Sequence, residues 1–223
     1  MFSKKGFTKL TILLFNLAPI IGVAFYDWSP FEMFWLFWME TLILSFFDTI
    51  RVLTSQQQSI AEAIVKHPIH FNIKTSFRFF LSRLLIFIFY SIFIIGFIGF
   101  IAQKEKDPAL IWSTLTFQNL FFNLALSVIF FINAIYLVKY FFSNGAYLYS
   151  KSDDYPMIFD GRQVVMHIGV VVGTLGSVFL FKESSNTNLA SVWVISIFCF
   201  VKCISELYFT KNQQVQQVSA PAF

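Results

Sequence analysis

Apolar residues along the chain come in runs of about twenty, separated by shorter polar stretches, and a helix of that length crosses a bilayer. The runs cover about 8–26, 30–53, 77–102, 116–142, 162–181 and 190–209. Inside lipid the backbone must satisfy its own hydrogen bonds, and a helix does so within one segment. The pattern therefore predicts an all-α fold: one membrane domain over 1–223, a polytopic integral membrane bundle of six transmembrane helices. Asp27-Trp28-Ser29 is so short a connection that the first two helices form an antiparallel hairpin, and Pro19 kinks the first of them. The polar stretch 54–75 is the largest loop; Ile60 to Val65 fits a short amphipathic surface helix that Pro68 stops. Gln103 to Asp107 is a charged turn, Ser143 to Gly161 a second loop, and 210–223 a polar tail.

Composition narrows this further. With 57% hydrophobic and 13% charged residues in 223, the six spans leave no room for a separate soluble domain. The formal charge of +4 does not point to nucleic acid, because the lysines and arginines sit beside apolar runs, where they orient the protein in the membrane. Lys4, Lys5, Lys9, Arg51, Lys66, Lys74, Arg78, Arg83, Lys139, Lys151, Arg162 and Lys211 fall on one side, and only Lys104, Lys106 and Lys182 on the other. The positive-inside rule then gives a multi-pass protein of the cell membrane with both termini cytoplasmic. The basic N-terminus resembles a signal peptide, but Phe15 to Tyr26 offers no small-residue cleavage site, so it reads as a retained span. Cys199 and Cys203 share a face of one helix and read as core filler rather than a disulfide.

The informative residues are the polar ones inside the apolar runs. Glu40 lies halfway along the second span, where a carboxylate costs several kcal/mol unless protonated, hydrated or paired, by order of magnitude. Arg51 follows three turns later on nearly the same side, with Asp48 flanking it. Counted in helical rise, Asn16 and Lys202 fall near the same mid-depth as Glu40, while His167 and Glu206 lie a turn or more inside the cytoplasmic boundary. A carboxylate and an ammonium at one depth stabilise each other's charged forms, and a histidine beside them titrates near neutral pH. Glu40, Asp48, Arg51, His167, Lys202 and Glu206 form the candidate polar cluster, with Asn16, Arg83 and Arg162 around it.

Asn16-Leu17-Ala18-Pro19, Trp28, Phe37-Trp38-Met39-Glu40, Arg51, Arg162, His167 and the Lys202/Glu206 pair together resemble a family of uncharacterised polytopic bacterial membrane proteins, over most of the chain. That family tends to carry aspartate where this chain has Glu206, and a His-Tyr-Gly stretch with a further histidine in the third span, where this chain has Arg83-Leu84-Leu85. The resemblance implies no activity; it ranks Glu40, Arg51, His167 and Lys202 above the other polar residues.

Each feature has two readings. Glu40 with Lys202 is either a structural pair fixing helix register or part of a path for ions. Arg51, Arg78 and Arg83 are interface anchors or anion ligands. His67 and His70 lack the further ligands a metal site needs, so no metal is assigned. No nucleophile with its base, and no cofactor, can be named, although His167 with Glu40 and Glu206 would suit proton transfer. Three functions stay open: transport of an ion, proton or small polar solute; a structural subunit, self-associating or within a membrane complex; and a membrane-embedded enzyme using Glu40 and His167. Beyond the lipid bilayer, the partners this implies are a small ion or solute, or another membrane protein.

Overall fold

The computed structural model describes residues 13, 16–17, 19–25, 28–56, 70–96, 108–155, 157, 195–196 and 198–205. The expected surface helix at Ile60 to Val65, His67, the span 162–181 with Arg162 and His167, Glu206 and the tail 210–223 lie outside them. Among the described residues the structure is all-helical, and three helical stretches, Phe31–Thr54, Ile73–Gly96 and Ile111–Phe142, are long and apolar enough to cross a membrane. The chain divides into two compact units, one of 1–35, 94–111 and 161–223, the other of 36–93 and 112–160.

Helix α1 (Pro30–Thr54) runs from the first unit into the second. Its start is written in Ser29-Pro30-Phe31-Glu32. The Glu32 amide donates to Ser29 Oγ (3.2 Å) while the Ser29 amide donates to Glu32 Oε2 (2.8 Å), a reciprocal cap that satisfies two amides the helix leaves open. Proline at the first helical position has no amide to satisfy and a backbone already set for the helix. More than half of the apolar window of α1 (56%) is buried, against 17% in each of the other two spans, so α1 is the interior helix and the others show apolar flanks outward.

In the first unit, Trp28 folds back: its amide donates to the Gly22 carbonyl (3.1 Å), and its ring lies against Gly22 so closely that a Cβ there would overlap it. Phe34 packs on Phe198 (5.3 Å between ring centres). Residues 198–205 are helical, with Phe198, Cys199 and Lys202 buried on one face and Phe200, Val201 and Ile204 exposed on the other. Cys199, buried, and Cys203, partly buried, are not joined in a disulfide.

In the second unit, α2 (Ile73–Phe93) runs antiparallel to α1. The Trp38 indole N–H donates to Ser91 Oγ (2.9 Å) and the Phe87 carbonyl (3.2 Å) and its ring stacks on Phe87; farther along, Ser76 Oγ donates to the Thr49 carbonyl, and Asn72 Nδ2 to the Ser55 carbonyl (2.6 Å). Packing and hydrogen bonds, rather than expulsion of water, hold helices together in lipid, which gives these bonds their weight. On the opposite side of α1, Phe47 packs with Leu137 and Phe141.

The fourth expected span, 116–142, begins differently. Pro108–Leu115 forms a helix of its own, α3, and α4 (Leu120–Tyr136) starts only after Asn119. Between them the Gln118 amide bonds the Ser113 carbonyl (2.9 Å) and the Phe117 amide the Thr114 carbonyl (3.1 Å), with Phe117 at φ +58°. This is the left-handed helix ending that usually takes glycine, built here on phenylalanine. Asn119 Oδ1 then accepts from the Phe121 and Phe122 amides as the N-cap of α4, and Asn123 Nδ2 donates to the Phe117 carbonyl (2.6 Å). The asparagines expected to need partners or water inside lipid thus have local partners, and Asn133 donates to the Ile129 carbonyl. Beyond α4 the chain widens into a π-helical turn, Leu137–Phe142, then a short helix α5 (Ala146–Tyr149). The third span also starts earlier than expected, at Ile73 rather than 77, because Lys74-Thr75-Ser76 is polar yet helical.

Candidate functional site

Glu40 stands ten residues into α1, about 15 Å from the start of a helix about 37 Å long, and is 9% exposed. It lies two residues beyond Trp38, so it points about 200° around the helix from the side that holds α2, onto the side of Phe47 two turns away. In the other unit, Lys202 is 4% exposed.

Around Glu40, the hydroxyls of α1 turn back on their own helix. Thr41 Oγ1 donates to the Trp38 carbonyl (2.7 Å), Ser45 Oγ to the Thr41 carbonyl (2.8 Å) and Thr49 Oγ1 to the Ser45 carbonyl (2.7 Å). Such a ladder hides polar atoms in an apolar helix and leaves each oxygen able to accept one further bond.

Arg83, expected near the cluster, is 3% exposed. It shares the face of α2 that carries Ser76, Phe87 and Ser91, all toward the Trp38 side of α1, and its guanidinium lies over the Phe79 ring at 5.3 Å. Asn16 is buried in the first unit. Asp48 and Arg51 pair with each other one turn apart, both about one-fifth exposed. At that exposure the pair contributes at most about 1 kcal/mol.

Beside this pair sits a residue that spacing along the chain gave no reason to select, Tyr155. Its hydroxyl is 3.1 Å from Ser150 Oγ. Burial pushes the phenol above its ordinary range, while the Ser150 bond and Arg51 pull it back. Nearby, Gln56 holds the His70 peptide from both sides, Nε2 donating to its carbonyl and Oε1 accepting from its amide (2.9 Å each). Here His70 takes part through its backbone.

Along α1, Glu40 lies deep and can hold or exchange a proton, while Asp48 and Arg51, with Tyr155 beside them, make a partly exposed, electrostatically balanced end-cap. No curated protein and no solved structure matches the chain. Residues 3–222 match the model of the DUF6498 family, a family of unknown function, and the chain belongs to that family.

Proposed function

We propose that the chain is a multi-pass protein of the cell membrane in which Glu40, Asp48, Arg51, His167, Lys202 and Glu206 line a cytoplasm-facing polar cavity that takes up and passes a proton, small ion or small polar solute. The observation that carries this reading is the burial of a carboxylate, Glu40, ten residues into an apolar helix, with a second buried charge, Lys202, on a segment that the sequence sets at the same depth. Buried charge is a poor way to stabilise a fold, since apolar side chains of the same volume do as well or better. Charge inside a membrane helix more often marks the path of an ion or proton. The twelve-to-three bias of lysine and arginine supports six spans with both termini cytoplasmic.

A structural role is the second reading, favoured by the hydroxyl ladder of α1, which satisfies Thr41, Ser45 and Thr49 without water. Reconstitution separates the two. Liposomes carrying pH-sensitive and ion-sensitive dyes are expected to show a pH-dependent flux that falls in Glu40→Gln and in His167→Ala. If the wild type moves no proton or ion while both variants stay folded, the transport reading fails and the buried charges are structural.

A further inference from the structure

Helix α2 has two faces with opposite tasks. Ser76, Phe79 and Arg83 are buried on one, where Trp38 and the Thr49 carbonyl of α1 meet it. Lys74, Arg78, Leu81, Leu85, Ile88 and Ile92 fall within about 40° of a single line on the opposite face, and all six are exposed. The order along that line matters. Two cations occupy the end of the helix, one turn apart; after them come four apolar side chains, with Leu85 60% and Ile92 68% exposed. No charged residue follows in 84–96.

We propose that this face binds an anionic phospholipid, Lys74 and Arg78 holding the headgroup phosphate and the line from Leu81 to Ile92 carrying the acyl chains. The dimensions agree. Leu81 to Ile92 spans about 16 Å of helix, close to the roughly 15 Å depth of one hydrocarbon leaflet. Lys74 and Arg78 then stand at headgroup level, where a lysine supplies a mobile ammonium and an arginine a planar fork that matches two phosphate oxygens. The apolar continuation selects a lipid over a free anion, and the two positive charges select an anionic headgroup over a zwitterionic one.

The test uses the full-length protein in nanodiscs containing equal parts of phosphatidylcholine and phosphatidylglycerol, with retained lipids counted by native mass spectrometry after gentle removal from the disc. The wild type is expected to retain phosphatidylglycerol preferentially. The double variant Lys74→Gln/Arg78→Gln, which alters only exposed side chains, should lose that preference by about twenty-five-fold, about fivefold for each cation. Lys74→Arg should keep it. Leu85→Ser, with the cations intact, should weaken retention of both lipids. Equal retention of the two lipids by the wild type, or an unchanged preference in the double variant, overturns the proposal. So does displacement of bound phosphatidylglycerol by inorganic phosphate alone, which would make the site one for free anions.

Discussion

The pairing that matching depth assigns to Glu40 and Lys202 predicts that neutralising one of them harms the fold more than neutralising both. Glu40→Gln is close to isosteric, so its packing loss is small, but on that pairing it leaves Lys202, 4% exposed, without its counter-charge. Two unit charges in contact at an effective dielectric constant of about 20 attract by about 4 kcal/mol, and removing one member of a buried pair typically costs about 3–5 kcal/mol. Lys202→Met strands the carboxylate in the same way. In the double variant neither charge remains, so the loss should return to about the level of one single variant or below it, a coupling of about 3 kcal/mol or more. For a chain of this length each single variant corresponds to roughly 10 °C in melting temperature. Thermal unfolding of the four proteins in one detergent at one scan rate measures this. Losses that simply add would mean that the two charges do not depend on each other, and the reasoning would be refuted.

Other expectations follow from particular contacts. At Phe117, glycine should be more stable than alanine by about 1 kcal/mol, because both remove the ring but only glycine relieves the positive φ; inside an ordinary helix the order is reversed. Alanine equal to or better than glycine in thermal unfolding would show that the left-handed turn carries no strain. Tyr155 ionises at higher pH folded than unfolded, so its contribution is complete below the unfolded value of about 10 and is lost as pH rises through the folded one. Tyr155→Phe should therefore lose less stability between about pH 9 and 11 than the wild type, although it starts about 1 kcal/mol lower without the Ser150 bond; parallel curves would remove Tyr155 as the titrating group. A cysteine at Glu105 should be labelled only from outside the cell and one at Asp153 only from the cytoplasm, and the reverse would invert the orientation.

What could be read in the chain depended on whether its cause was local. Ser29-Pro30 with Glu32 announces the start of α1, and Glu40, a lone carboxylate in an apolar run, reads as an inward-facing residue and is buried. The break at Phe117 carried no such sign, since a left-handed ending is normally read from a glycine and this one stands on an aromatic residue. Thr116, Gln118 and Asn119 were the available signal: a polar run interrupting an apolar stretch, closed by a good N-cap. The π-helical turn at Leu137–Phe142 has neither proline nor glycine to mark it. Tyr155 stayed hidden for a different reason. It meets Asp48 and Arg51 across about a hundred residues of chain, and no spacing rule reaches that far. The two faces of α2 were within reach of the helical period once burial had shown which of them is inside.

The account turns on whether water reaches Glu40. A cysteine placed at position 40, with Cys199 and Cys203 replaced by alanine, can be exposed in sealed inside-out vesicles to a membrane-impermeant thiol reagent, with Leu85→Cys on the outward face of α2 as the lipid-facing control. The account predicts that position 40 reacts from the cytoplasmic face while position 85 does not, and that a lipid-soluble reagent reaches position 85 readily. A position 40 as inert to the impermeant reagent as position 85 would contradict it and leave Glu40 as a sealed structural residue.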